Sequence, residues 1–217
     1  MCLLEFWESG LRIEQFVVPP LDNNAYLLFD ERTFKAAVID PALGADVLLS
    51  KAQELGAQII YILNTHGHPD HICDDRRIKE ATGAKLCIHE LDAYRLFYNP
   101  FSKDPIPPTP DILLKGGETL EIGSLRVEVI HTPGHTEGCC CFYLAEEGVI
   151  FTGDTLFAGN IGRVDLEGSD PAAMLRSLKK LFTLPKNVKV YPGHGYPTTI
   201  EDEYWIIESN YLKDLLS

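Results

Sequence analysis

The sequence predicts an α+β fold of two strand-rich halves, packed sheet against sheet with helices on the outside. Two observations point there. Short apolar runs followed by helical patterns occur twice along the chain, and strand and helix alternate between residues 36 and 98, which favours a layered core over a helical bundle. No close sequence repeat relates the two halves. The 217 residues are 45% apolar and 24% charged, which excludes disorder and fibrous repeats and is met most simply by one domain over residues 1–217.

The elements follow from local pattern. Residues 11–18, 25–29 and 36–39 are short apolar runs separated by the turn segments 19–24 and 30–32, so a meander of three strands is expected. Residues 45–55 place Val47, Leu48, Ala52 and Leu55 at helical spacing, with Gly56 as the stop. The run Ile59, Ile60, Tyr61, Ile62, Leu63 reads as a buried strand. A helix then starts near Ile72 or Asp74, passes Ile78 and Ala81 and ends at Gly83; residues 85–88 form a strand and 90–98 a helix. Residues 99–110 hold Pro100, Pro105, Pro107, Pro108 and Pro110, too many for an element interior. They form a surface excursion that either borders a pocket or simply connects.

The second half opens with strands at 119–122, 125–130, 139–144 and 149–152, broken at Gly123-Ser124 and Glu146-Glu147-Gly148. A long polar loop, 153–170, leads to a helix over 171–184 opened by Asp170-Pro171, a strand over 188–191, and a single last helix over 200–216. Of the six cysteines, three are consecutive. Cys139 and Cys141 alternate with Cys140 across a strand, the pattern of small core residues in a reducing compartment rather than of disulfides.

The chemistry is concentrated in Thr65-His66-Gly67-His68-Pro69-Asp70-His71, directly after the buried run. Imidazole and carboxylate are ordinary ligands of zinc and of harder metals, and such a cluster packed without a metal carries a large desolvation cost. His66 and His68 would not share a helical face, and Pro69 disfavours a helical His68, so both belong to a loop from which they can reach one centre. Asp70 and His71, near the next helix start, can serve a second. Three later turns repeat the design: His135 in Pro133-Gly134-His135, Asp154 in Gly153-Asp154-Thr155, and His194 in Gly193-His194-Gly195, each after a predicted strand. That makes seven candidate ligands.

Charge narrows the partners. Nineteen basic against 32 acidic residues give −13, which argues against a nucleic-acid backbone, and the pairs Arg76-Arg77 and Lys179-Lys180 read as solvated helix faces. No run approaches 18 apolar residues, and residues 1–8 lack the basic start of a secretory signal, so a soluble, cytoplasmic protein acting on a small molecule, as monomer or homodimer, is expected.

These motifs, in this order and spacing, resemble the metallo-β-lactamase superfamily of hydrolases, and within it the glyoxalase II-like branch (hydroxyacylglutathione hydrolase-like) of small single-domain members. The resemblance implies a four-layer αβ/βα sandwich of two mixed sheets, with two divalent metal ions at one edge. Zn2+ is the default, and Fe or Mn accept the same donors. By resemblance, His66, His68 and His135 hold the first ion, Asp70, His71 and His194 the second, and Asp154 bridges them. A hydroxide shared by the ions would attack the carbonyl of a small acyl thioester of the hydroxyacyl-thiol type, with Asp70 orienting it.

The resemblance also implies roles around the centre. Asp40, before Pro41, matches the acidic position behind the histidine loop, although a turn-forming aspartate is the alternative; Thr132 and Thr136 can donate to ligands or merely cap a turn. Arg163 matches the basic position that holds the thiol carrier, against an ion pair with Asp165 or Glu167, and Tyr196 matches a tyrosine that touches it, although Pro197 departs from the pattern. His89 and His131 are expected to be structural. Glyoxalase II proper adds a helical domain, for which only the last helix stands here, and Ile72-Cys73 replaces small residues. Other members bind one iron through a reduced ligand set of His66, His135 and Asp154 and act as persulfide dioxygenases; the full set favours two metals. Lactones and phosphoesters remain alternative substrates, and a purely metal-binding module would be expected to have lost part of the set.

Overall fold

A computed structural model describes residues 10–102 and 106–208; residues 1–8, Cys2 and the expected helical residues 209–216 lie outside them. Strands β1 (Leu11–Val18), β2 (Asn23–Asp30) and β3 (Lys35–Ile39) form the antiparallel meander. After helix α1 (Ala45–Leu55), strand β4 (Gln58–Leu63) pairs parallel to β3. Helix α2 (Asp75–Thr82) leads to β5 (Lys85–His89), and β6 (Ile112–Leu114) closes a six-stranded mixed sheet in the order β1-β2-β3-β4-β5-β6. The second sheet starts with β7 (Thr119–Ile122), β8 (Leu125–His131), β9 (Cys140–Leu144) and β10 (Val149–Gly153). A hairpin of β11 (Leu156–Phe157) and β12 (Asn160–Ile161) follows, then helix α3 (Pro171–Leu181) and strands β13 (Lys189–Pro192) and β14 (Thr198–Thr199). The order β14-β13-β10-β9-β8-β7, with β13 parallel to β10, makes this sheet mixed too. Helix α4 (Trp205–Glu208) ends the described chain.

Alternation of side chains builds three apolar layers from two sheets. Tyr26, Leu28, Ile39 and Leu63 from the first sheet meet Val127, Val129, Phe142 and Phe151 from the second. On the first sheet's outer face Leu27, Val38 and Ile62 pack against Leu48 and Ala52 of α1 and Ile78 of α2. On the second's, Cys141, Ile150 and Val190 pack against Met174, Leu178 and Leu181 of α3. The result is the expected four-layer sandwich. Cys140 points between the sheets and Cys141 toward α3; the five described cysteines are buried free thiols. Among the described residues no helix is long and apolar enough to cross a membrane.

The last helix starts at Trp205 rather than near residue 200, turns occupying residues 200–204, and three other boundaries differ from expectation for a hydrogen-bonding reason. Helix α2 starts at Asp75, because the Asp74 N–H is taken by the Ala42 carbonyl and its carboxylate accepts from Ala45 N–H, tying the two helix starts together. Segment 90–98 is a 3₁₀ turn, Ala93–Phe97: the amides of Asp92, Arg95 and Tyr98 each donate to the carbonyl three residues back. Helix α3 stops at Leu181, and Leu184 N–H turns back to its carbonyl. Strands β6, β11, β12 and β14 are too short to leave a periodic trace in the sequence.

The sheets are also joined by polar groups. At the end opposite the histidines, buried Asp30 accepts from the Ser124 amide at 2.6 Å and hydroxyl at 2.9 Å, and from Thr33 and Arg32. Burial alone would raise its pKa, but these donors hold it below the usual carboxylate value. Under the histidine loop the balance is reversed. Asp75 is buried beside Asp40 and Asp74, and burial first, then their charge, pushes its pKa well up. It takes one hydrogen bond, from Asn64 Nδ2 at 2.6 Å, while Asp75 Oδ1 and Asn64 Oδ1 are buried acceptors without a donor. A proton on Asp75 removes an uncompensated charge from this buried position.

A raised carboxyl pKa stabilises the fold fully below the unfolded value of about 4, and that contribution is lost as pH rises toward the folded value. Asp75→Asn is neutral at every pH. Urea unfolding should therefore give the smallest difference between the two proteins below about pH 4 and a growing advantage for Asp75→Asn, about 1 kcal/mol or more, by pH 8. A difference that does not grow with pH would contradict a buried neutral Asp75.

Candidate metal centre

Every predicted ligand lies at one edge of the sandwich, on loops that leave strand ends. The loop after β4 carries His66, His68, Asp70 and His71; those after β8, β10 and β13 bring His135, Asp154 and His194. Strand ends fixed by ladders on both sides leave little slack, which is why residues far apart in sequence meet reproducibly here.

The ring nitrogens of His66, His68 and His135 lie within 4.8 Å of one another, and so do the ligand atoms of Asp70, His71 and His194. His68 Nδ1 is 2.8 Å from His135 Nε2. Asp154 stands between the groups, with Oδ2 3.4 Å from His135 Nε2 and 3.7 Å from His194 Nε2, and Oδ1 3.5 Å from His71 Nε2. Gly193 makes room for it, since a Cβ there would stand 2.3 Å from Asp154 Oδ1. The donors fit divalent ions on two further grounds. His66 Nε2, His71 Nε2 and Asp154 Oδ1 are buried without a hydrogen-bond partner, and mixed imidazole and carboxylate donors suit zinc, iron or manganese.

Electrostatics separates the groups. Burial, then the neighbouring imidazoles, lowers the pKa of His66 far below its ordinary value; burial, then His135, brings that of His68 to about 3. Both rings are neutral, with a lone pair free to bind a cation. In the second group burial would lower His71 as well, but the carboxylates of Asp154, Asp40 and Asp70 outweigh it and raise the ring to about 10. His194 is raised in the same way against its own burial, by Asp70 and Asp154. Asp70 is lowered: burial opposes this, and His194, His71 and Asn23 outweigh it.

Hydrogen bonds to the remaining ring nitrogens orient the imidazoles. His71 Nδ1 is 3.1 Å from Asp40 Oδ2, and Asp40 also accepts from the Thr65 amide and hydroxyl, whose oxygen lies 3.1 Å from His66 Nδ1. Asp40 thus sits directly behind the histidine loop. His135 Nδ1 donates to the Arg163 carbonyl at 2.8 Å, leaving Nε2 for the centre. Thr132 and Thr136 do not take the expected contacts with ligands: the Thr132 hydroxyl faces Cys141 and Thr155, and Thr136 donates to Asp92. The Arg163 side chain makes a two-pronged pair with Asp165 on the surface, and Tyr196 is 83% exposed beyond His194. His89 and His131 stack on each other at 4.1 Å, in neither group.

Three supports were not foreseen. Asn23, fully buried at the start of β2, donates to Asp70 Oδ2 at 2.7 Å and lies 3.5 Å from His194 Nε2; Asp92 joins two ligand loops; and the main chain of Arg163 holds His135. The polar run Asp22-Asn23-Asn24 before an apolar strand is a weak signal for the first. Asp92, amid an apparent helix, has none, and a carbonyl carries no side-chain signature at all.

A family model described as the metallo-beta-lactamase superfamily matches residues 18–194. A hydroxyacylglutathione hydrolase of Rhodospirillum rubrum is 40% identical over 188 residues, covering 87% of this chain and 68% of the relative. A similar hydrolase of a Synechococcus strain is 39% identical over 81% of this chain, which spans 64% of that relative's length. Among solved structures, TTHA1623 in a di-iron-bound form is 34% identical, with a TM-score of 0.75 over 88% of this chain and 96% of its own.

Two groups of donors with orphaned buried atoms predict two divalent ions per chain. Elemental analysis after reconstitution with excess zinc should find them, and at most one ion would contradict the pairing of the groups.

Proposed function

The chain belongs to the metallo-beta-lactamase superfamily, and on that premise we propose that it is a dinuclear metal-dependent hydrolase of a small acyl thioester of the hydroxyacyl-thiol type. The observation that carries the reading is Asp154 placed between two complete donor groups. In it, His66, His68 and His135 hold one ion, Asp70, His71 and His194 the other, and Asp154 both. Two such ions supply Lewis acidity and a water acidic enough to ionise near neutrality. Zinc suits the donors, and the di-iron form of the similar TTHA1623 supports iron as an alternative occupant.

The chain's own residues do the rest. Asp70, kept ionised and fixed by Asn23, is an acceptor at the second group that can orient an attacking water by its hydrogen bond. Asp40 keeps His71 turned with Nε2 inward, and the Arg163 carbonyl does the same for His135. A thiolate leaving group needs no general acid of its own, because a thiol pKa of about 8.5 is far below an alcohol's. The relatives named hydroxyacylglutathione hydrolase support a thioester. Arg163 and Tyr196, on the exposed rim, are assigned to the thiol carrier; to grip its carboxylate the Arg163 fork must exchange Asp165 for the substrate. The cations of the centre and Arg163 offset a chain charge of −13 that otherwise repels an anion.

Asp154→Asn should lower the affinity for both ions, because a neutral amide is a poorer bridge, whereas His194→Ala should chiefly weaken the second; competition with a chelator measures both. A panel of thioesters, oxygen esters, lactones and phosphoesters should favour anionic thioesters. A lactone or phosphoester preferred by more than about tenfold in kcat/KM, roughly 1.4 kcal/mol in barrier, would replace the thioester while leaving the dinuclear reading in place. Arg163→Ala should lower kcat/KM on the anionic thioester, chiefly through KM.

A further inference from the structure

The 3₁₀ turn Ala93–Phe97 touches neither donor group with its own side chains in the way a ligand would, yet three site loops converge on the residues that open and build it. Asp92 is fully buried. Its Oδ2 accepts from the Gly67 amide, between His66 and His68, at 2.7 Å and from the Thr136 hydroxyl, next to His135, also at 2.7 Å. Its Oδ1 accepts from the Gly138 amide at 2.9 Å. One carboxylate thereby bonds both loops that carry the first donor group.

The backbones approach so closely that two positions admit only glycine. A Cβ on Gly67 would stand 2.9 Å from the Asp92 carbonyl oxygen and 2.8 Å from Arg95 Cβ, and one on Gly138 would stand 2.6 Å from Asp92 Cγ. Arg95, one turn on, reaches Glu137 Oε2 at 3.0 Å and the Glu167 carbonyl at 3.3 Å, so the loop that supplies Asp154 and the Arg163 carbonyl is held to the same turn. The second group is held by other residues: Asn23 bonds Asp70, Asp40 faces His71, and Tyr26 and Asn24 bond the carbonyls of the His194 loop.

We propose that Asp92 is a positioning residue for the first metal group, a buried clip that sets the spacing between the His66–His68 loop and the His135 loop so that three imidazoles converge on one ion. The inference rests on the dinuclear reading above. Its distinguishing consequence is selectivity: losing the clip loosens one group and leaves the other.

Two backgrounds isolate the groups, His194→Ala to retain the first and His68→Ala to retain the second. Asp92→Asn keeps the carboxylate's shape but turns an N–H₂ toward one of three donors. In the His194→Ala chain it should weaken cobalt(II) affinity by about tenfold or more, the range seen when a residue orienting a ligand is removed, and change the visible absorption of the bound cobalt. In the His68→Ala chain affinity should move by less than about twofold. Thr136→Val, which removes one of the bonds to Oδ2, should show the same selectivity at smaller size and serves where Asp92→Asn does not fold. Equal losses in both backgrounds make Asp92 a structural residue only and overturn the inference, as does an unchanged affinity in both. A parent chain that takes up no ion overturns the dinuclear reading itself, and the inference with it.

Discussion

The constraint on which the rest of this structure depends is the cost of gathering five imidazoles and two carboxylates at a largely buried edge. Desolvation drives His66 and His68 to their neutral forms, while the neighbouring carboxylates raise the pKa of His71 and His194 against their burial. One side of the cluster is therefore electron-rich and uncharged, the other internally paired. Buried atoms left without partners on both sides are where cations fit, and Asp154 is the group that both sides share.

The sandwich meets this constraint by dividing labour between its ends. At the far end Asp30 joins the two β-turns with hydrogen bonds to Ser124, and between the sheets Phe142, Phe151 and Tyr26 make the contact rigid. Replacing one such buried aromatic by alanine typically costs about 3–5 kcal/mol. At the near end irregular loops are tolerated because buried polar groups partner their polar atoms, Asp40 and Asp92 accepting from loop donors and Asn23 donating to Asp70. The Tyr26 hydroxyl bonded to the Pro192 carbonyl, and Asn24 bonded to the carbonyls of Pro192 and Gly195, anchor the His194 loop to the opposite sheet.

Function then follows from which groups are rigid and which are free. The donor groups are fixed by neighbours on several strands, whereas Arg163 and Tyr196 stand on the surface with few constraints. The fixed donor groups and the exposed polar rim are thus held by different means, the first by bonds between loops and the second by a surface ion pair. The short hairpin β11–β12 lies between these regimes, with Phe157 edge-on to His194 and Gly159 held by the buried Glu203.

What the sequence by itself determined is what local chemistry and period determine. The meander, α1 with its Gly56 stop, the strand before the histidine loop and the seven candidate side chains that the fold brings to one edge were legible there, because apolar spacing and ligand chemistry are properties of a few neighbouring residues. The tertiary structure alone decided the 3₁₀ form of residues 93–97, the late start of α2, the destination of Thr136 and the parts of Asn23, Asp92 and the Arg163 carbonyl. Each of these turns on a hydrogen bond whose partner is distant in sequence or belongs to the main chain, which every residue carries alike. No pattern in one segment can encode a partner that only the tertiary fold brings within 3 Å.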